Sequence, residues 1–249
     1  MRQVTRSAAV VLAPNPGPMT LDGTNTWVLR APGNPQCLVV DPGPLLDEHL
    51  HAVAATGDVA LIALTHRHFD HSEGAQRLHE LTGADVVSLD PSFTIGGHAL
   101  TRQGETLEAA GITLTAVHTP GHTSDSMSFH LVEDDAVLTG DTILGRGTTV
   151  VAHPDGILAD YLESLRLLEE YGDATVLPGH GSELPSAGRV ARDYLEHREQ
   201  RLGQVRAAVA GGALTAREVV EQVYADVDQV LWPAAELSVR AQLDYLAHR

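Results

Sequence analysis

The sequence predicts an α/β fold: two mixed β-sheets packed together with helices outside, followed by a small helical module. Three observations carry this. Apolar runs of strand length recur up to about residue 180, first separated by turn-rich loops as in hairpins, then alternating with helix-like segments. Clusters of His and Asp directly follow these runs, at residues 66–71, His122, Asp141 and His180. From Gly188 onward the pattern is almost purely helical.

Within Ala8 to Arg30, two apolar runs around NPGP and DGTNT read as strands joined by turn-rich loops. Gln36 to Val40 is a third strand, stopped by Asp41-Pro42-Gly43-Pro44, and a helix follows over Leu45 to Thr56. Val59 to Leu64 is an apolar run bounded by a turn signal, hence a buried strand, and it empties into THRHFDH at 65–71. Ser72 is placed as the N-cap of a helix over Glu73 to Leu81, with Gly83 as its stop. Strand and turn signals then alternate through DVVSLD, FTIGG, HALTRQGETLEAAG and ITLTAVHTPGH. Strands over Ser126 to Val132 and Ala136 to Thr139 come next, the second running into Gly140-Asp141. A helix from Leu158 to Glu170 turns Leu162, Leu165 and Leu168 to a core, and the last strand, Ala174 to Leu177, ends at Pro178-Gly179-His180-Gly181. The tail gives helices over Arg189 to Val209, Ala216 to Tyr224 with Thr215 as cap, and Ala234 to His248; no pair of strands follows, so a β-wing is not expected.

The apolar fraction of 43% in 249 residues fills one large domain, or one domain with a small appendage. The charge balance is 16 basic against 33 acidic residues, net −17, and every basic residue is Arg. The lack of Lys excludes Schiff-base chemistry and a P-loop lysine, and the negative balance disfavours tight non-specific nucleic-acid binding. The apolar runs fall short of the roughly 20 residues that cross a bilayer, and the N-terminus has no signal-peptide apolar region. No membrane association and a cytoplasmic location are therefore expected. Cys37, the single cysteine, lies in CLVV and reads as a small buried hydrophobe.

The chemistry concentrates in THRHFDH, which supplies His66, His68, Asp70 and His71 within six residues. On extended backbone His66 and His68 point the same way, and after a bend Asp70 and His71 face a second point. A two-ion hydrolytic site needs about three ligands per ion and a bridging group. A partition that meets this need gives His66, His68 and His122 to one ion and Asp70, His71 and His180 to the other, with Asp141 as the bridging carboxylate. Imidazole ligands without thiolate suit Zn²⁺, two per chain, and also accept Mn²⁺ or Fe. Water between such ions ionises near pH ~7 and serves as nucleophile, in agreement with the absence of a GxSxG elbow. Asp41, Thr65 and Thr119 are expected behind the ligand histidines, orienting them.

Together, HxHxDH at 66–71, TPGHTSDS around His122, TGD at Asp141 and PGHG at His180 resemble the metallo-β-lactamase-fold hydrolases over residues 8–185. NPGPMTLDGTNTWVL, GDTILGRGTTVV and DYLEHREQR are similar to its β-lactamase-like protein 2 branch, which includes a single-stranded RNA endoribonuclease and thioesterases acting on acyl-carrier proteins. The resemblance implies an αββα metallo-β-lactamase sandwich, two zinc ions and attack by a bridging hydroxide. It also implies a catalytic domain over residues 1–187 and a winged-helix-like C-terminal module over 188–249. Two features depart from the pattern: Arg67 between the first two histidines, and a tail without its wing.

The expected activity is that of a dinuclear zinc metallohydrolase, with two substrate classes open. Branch resemblance points to single-stranded RNA and an endoribonuclease. The net −17 and the easy departure of a thiolate point to a small-molecule ester or thioester, as in thioesterases and glyoxalase II-like enzymes. A persulfide dioxygenase with one mononuclear iron is a rival on the same scaffold. Asp70 enters the catalytic set as well as the ligand set, and His153, just beyond GRGTT, offers a proton donor to a leaving group. GRGTT itself offers backbone N–H groups to a substrate pocket. The remaining histidines, including His197, read as surface or helix positions.

Overall fold

Residues 1–101 and 103–248 are described by the computed structural model of the chain. Eleven strands among them form two sheets. The first sheet follows chain order: β1 (Arg2–Gln3), β2 (Ala8–Leu12), β3 (Asn25–Leu29), β4 (Gln36–Val40), β5 (Asp58–Ala63) and β6 (Asp85–Val87). The second comprises β7 (Gln103–Ala109), β8 (Ile112–His118), β9 (Met127–Leu131), β10 (Ala136–Gly140) and β11 (Thr175–Pro178), in order β11-β10-β9-β8-β7. Hairpin-connected neighbours pair antiparallel, while β4–β5, β5–β6 and β10–β11 are parallel, each joined through helical segments.

Period-two alternation along the strands builds the layers. Trp27, Leu29, Leu38 and Val40 enter the core between the sheets, against Leu114, Ala116, Phe129 and Leu138. Their neighbours Val28, Cys37 and Val39 face outward, onto α1 (Asp47–Ala54) and α3 (Ala75–Thr82) through Leu50, Val53, Ala75 and Leu78. On the far side Val137 and Val176 pack against α4 (Leu158–Glu169) and α5 (Ala187–Ala210) through Tyr161, Leu165, Val190 and Tyr194. Each fully buried Val, Leu or Phe among them contributes about 1.5–3 kcal/mol, so the order helix–sheet–sheet–helix follows from which face of each strand is apolar. This is the αββα sandwich that the sequence predicts.

The tail is helical, as expected. The end of α5, α6 (Ala216–Val223) and α7 (Trp232–Ala247) share a core of Val205, Val219, Val220, Trp232 and Val239. Thr215 caps α6 in a reciprocal capping box with Glu218. Ala241 of α7 joins the α4–α5 core, which docks the tail on the sandwich. Among the described residues no strand follows β11, and no helix is long and apolar enough to cross a membrane.

Two local expectations are corrected. Ser72 does not cap a following helix: it closes the single turn α2 (Phe69–Ser72), where its hydroxyl donates back to the carbonyls of Arg67 and His68. α3 starts instead after Gly74, which offers no side-chain cap, and it ends at Gly83 in the left-handed region as predicted. FTIGG forms no strand. Asp90 accepts from the Ser92 N–H and, with Pro91, holds a 3-10 turn there, leaving one isolated bridge between Gly96 and Val86. Arg102, inside the expected strand that follows, lies outside the described residues, as does Arg249.

Candidate metal centre

Four strand ends deliver the candidate ligands to one place. β5 ends at Ala63 and leads to His66 and His68, while the α2 turn carries Asp70 and a fully buried His71. β8 leads through Thr119 to His122, β10 ends at Gly140 before Asp141, and β11 ends at Pro178 before His180. β10 and β11 are parallel neighbours, which brings Asp141 and His180 out side by side. The PGHG loop is pinned from β3: Asn25 Nδ2 donates to the carbonyls of Pro178 (2.9 Å) and Gly181 (2.8 Å), and Trp27 Nε1 donates to Pro178 (3.1 Å). Glycine is required at 179, because a Cβ there would lie 2.5 Å from Asp141 Oδ1 and 2.7 Å from His71 Cε1.

The seven residues form three overlapping trios whose ligand atoms lie within 4.8 Å of one another: His66, His68 and His122; His66, His71 and Asp141; and Asp70, His71 and His180. Asp141 thus meets one histidine from each of the two sets anticipated from sequence. His68 Nδ1 stands 3.1 Å from His66 Nε2 and 3.0 Å from His122 Nε2. His71 Nε2 stands 3.2 Å from His180 Nε2, and His180 Nε2 stands 3.1 Å from Asp70 Oδ2.

The outer nitrogens of four rings are occupied. His122 Nδ1 faces the Val150 carbonyl at 2.8 Å and His180 Nδ1 the Gly23 carbonyl at 3.1 Å. His71 Nδ1 faces Asp41 Oδ2 at 2.9 Å, and His66 Nδ1 faces Thr65 Oγ1 at 3.0 Å. Thr65 in turn donates its hydroxyl (2.7 Å) and its backbone N–H (2.8 Å) to Asp41. With Nδ1 donating outward, each Nε2 carries its lone pair inward when the ring is neutral. Asp41 and Thr65 therefore stand where the sequence reading puts them. Thr119 does not; its hydroxyl bonds Ser128 and Thr142.

Inward lone pairs, the carboxylates of Asp70 and Asp141, and a buried Asp141 Oδ1 without a hydrogen-bond partner together call for positive charge. The two ends answer this differently. Burial, with help from neighbouring imidazoles, lowers His66 well below the usual range and His68 to about 4, so that pair is neutral and ready to donate. At the other end burial also opposes charge, but Asp141 and Asp70 outweigh it, raising His71 and pushing His180 up to about 9. Asp70 and Asp141 are held low despite burial by His71 and His180. In the absence of a cation, protons supply the charge. The donor set fits divalent ions that accept imidazole and carboxylate.

His122 and Asp141 open onto a cavity of about 370 Å³. Its near wall is Arg146, Gly147, Thr148 and Thr149, so the GRGTT loop does line it. Its far wall comes from the tail: His197, Arg198, Arg201, Tyr224, Leu231 and Ala235. The sequence offers the tail as one wall of the cleft but does not single out these residues; DYLEHREQR carries a family resemblance without showing what its side chains touch. His153 is set apart, lining a different cavity with Ile157, Asp244 and His248, so the proton-donor reading draws no support from its position. Arg67 turns from the cluster to Asp155 (2.6 Å) and Asp125 (3.6 Å), as alternation between His66 and His68 requires.

Comparison with known proteins gives the same picture. A family model described as the metallo-β-lactamase superfamily matches residues 19–180, and one described as the β-lactamase associated winged helix domain matches residues 215–249. The chain is 33% identical over 238 residues to an atrochrysone carboxyl ACP thioesterase from Aspergillus fumigatus, covering 86% of this chain and 72% of the relative. It is 31% identical over 248 residues to a β-lactamase-like protein 2 homologue from Caenorhabditis elegans, covering 95% and 82%. The crystal structure of a metallo-β-lactamase family protein from Thermus thermophilus, 22% identical, superposes with a TM-score of 0.82 over 97% of this chain and 93% of the other, a likeness of fold. The chain therefore belongs to the metallo-β-lactamase superfamily, as a metal-dependent hydrolase homologous to β-lactamase-like protein 2.

Proposed function

We propose that the chain hydrolyses thioesters or esters of compact acyl groups at a dinuclear zinc site. In this reading His66, His68 and His122 hold one ion, Asp70, His71 and His180 the other, and Asp141 lies between them. Residues 1–187 act as the catalytic domain and 188–249 as a module closing the cavity. The observation that carries the substrate class is the cavity itself: about 370 Å³, walled by the tail, and within the range of small-molecule sites. The thioesterase name of a relative at 33% identity supports it. Zinc is favoured by a ligand set rich in imidazole and free of thiolate.

Bound divalent ions supply Lewis acidity toward the scissile carbonyl and bring the pKa of a water molecule to about 7. The protein's own groups do the rest. Asp41 and Thr65 fix the rings of His71 and His66, and the carbonyls of Val150 and Gly23 fix His122 and His180. Leu144, Leu231 and Ala235 shield the acyl body from bulk water. A departing thiolate needs no proton from the enzyme, which matches a site whose recognised acid candidate, His153, lines another cavity.

The test is a parallel assay of zinc-loaded protein on short acyl thioesters and on short single-stranded RNA. Turnover of thioester with RNA left intact is the expected result. Cleavage of RNA without thioester turnover overturns this reading in favour of the endoribonuclease.

A further inference from the structure

The tail wall of the cavity holds positive charge without a counter-ion. Arg198 is 5% exposed, and Arg201 is half-buried one helical turn along α5. Among the described residues neither forms an ion pair with a carboxylate, in a chain with 33 acidic and 16 basic residues. Arg146, in the same cavity, is paired with Asp22. Arg198 donates one amino group to the Thr149 carbonyl and lies over the Tyr161 ring at 4.9 Å, while its buried Nε has no partner. Arg201 donates to the Val223 carbonyl (2.7 Å) and lies over the Tyr224 ring at 4.4 Å. Beside them His197 Nδ1 is buried and unpartnered.

A buried guanidinium without an anion is costly, and stacking on an aromatic face fixes its plane without neutralising it. One buried and one half-buried guanidinium, one turn apart and facing one cavity, make a preset receptor for an oxyanion, which guanidinium binds through paired N–H groups. We propose that Arg198, Arg201 and His197 form an anion subsite on the tail wall, taking a carboxylate or phosphate that the substrate carries away from the bond to be cut. The shared chemistry is a charged oxygen group at one end of a molecule whose reacting carbonyl faces Asp141 and His122 across the cavity. The proposal rests on the reading of this cavity as the substrate site.

Two pairs of probes test it and separate the sources of charge. One is the glutaryl thioester of N-acetylcysteamine against its methyl ester, which differs in an acyl carboxylate. The other is the butyryl thioester of phosphopantetheine against that of pantetheine, which differs in a phosphate. For each pair, kcat/KM ratios are measured on the zinc-loaded protein, and calorimetry measures binding of the matching non-hydrolysable thioethers. One pair is expected to favour the charged member by about tenfold or more, the scale of one charge-assisted contact. Arg198→Met and Arg201→Gln are each expected to bring that ratio toward one, and Arg201→Lys to restore part of it. Because Arg198 also braces the wall, the half-buried Arg201 carries the test alone if Arg198→Met does not fold. Ratios near one in both pairs, or ratios unchanged by Arg201→Gln, overturn the subsite even where thioesters are hydrolysed. Charge-selective thioether binding that Arg201→Gln abolishes, with no thioester turned over, leaves the subsite standing and removes the proposed reaction instead.

Discussion

The metal centre and the tail wall face each other across one cavity and carry opposite electrostatic deficits. At the strand ends, Asp70 and Asp141 sit among inward imidazole lone pairs, and Asp141 Oδ1 has no hydrogen-bond partner. On α5, Arg198 and Arg201 sit without a carboxylate. Both are buried polar arrangements that a fold selected for stability alone would have paired within the chain. The metal side is held by long-range bonds from β3, Asp41 and backbone carbonyls, whereas the tail side is held by ring stacking and carbonyls. The first is built to fix ligand positions to fractions of an ångström; the second fixes a charge and leaves its partner to arrive.

The largest effect that could break this contrast is on the metal side. Asp141→Asn removes the carboxylate that groups with both His66 and His71. It is expected to lower hydrolysis by at least about a thousandfold, roughly 4 kcal/mol of transition-state stabilisation, and to reduce the zinc bound per chain in elemental analysis. Unchanged zinc content and turnover would show that Asp141 is not a ligand. Asp41→Asn is the next step down. Asp41 accepts from the Thr65 backbone and hydroxyl and from His71 Nδ1, so its loss releases two rings at once. The expected cost is about 10- to 100-fold in zinc affinity, the usual scale for groups behind metal ligands, read by competition with a chromogenic chelator. An unaltered affinity would mean that ring orientation is set elsewhere.

The two sides also differ in how far they are legible in the sequence. The centre can be read because THRHFDH puts three imidazoles and one carboxylate within six residues and three further strand ends add His122, Asp141 and His180, a density that exceeds chance, while turn signals predict where each strand stops. Asp41 and Thr65 follow from their places beside those ends. Ser72 misleads because a serine before a helix-like run has the composition of a cap; its hydroxyl instead turns back to Arg67 and His68, a choice made by the α2 turn. His153 misleads because nearness in sequence to GRGTT does not determine on which side of a loop a ring emerges. Arg198 and Arg201 escape notice because the lack of a counter-ion is a property of three-dimensional neighbours. Nothing in DYLEHREQR distinguishes a paired arginine from an unpaired one.

Metal removal sharpens the contrast with a pH signature. In the metal-free protein the folded state raises His71 and pushes His180 up to about 9, against a usual value of 6.5. A raised imidazole contributes stability that is full below the unfolded value and is lost as pH rises through the folded one. The melting temperature of the chelated protein is therefore expected to decline between about pH 7 and 9, by roughly a few degrees for a chain of this size. The zinc-loaded protein, in which the ions replace those protons, should not share this decline. Parallel melting curves from pH 6 to 10, with and without chelator, would contradict a proton-for-metal exchange.

The smallest effect concerns the loop that joins the two sides. Tyr194 of α5 accepts the Leu144 N–H at 3.0 Å and faces the Gly147 carbonyl at 3.0 Å. Burial first, with Tyr161 nearby, raises its hydroxyl far above the usual range, so it stays protonated and able to donate. This anchors residues 144–147, of which Leu144, Arg146 and Gly147 line the cavity together with Asp141, Arg198 and Arg201. Tyr194→Phe removes those bonds and leaves a backbone N–H without its partner, a cost of about 1–2 kcal/mol and roughly 2–4 °C in melting temperature per kcal/mol. The loop carries none of the seven metal-ligand positions other than through its start at Asp141, so the loosening should raise KM several-fold more than it lowers kcat. A fall in kcat that matches or exceeds the rise in KM would mean that Tyr194 acts on ligand geometry, and that the metal centre and the tail wall are one rigid unit and not two sides with separate tasks.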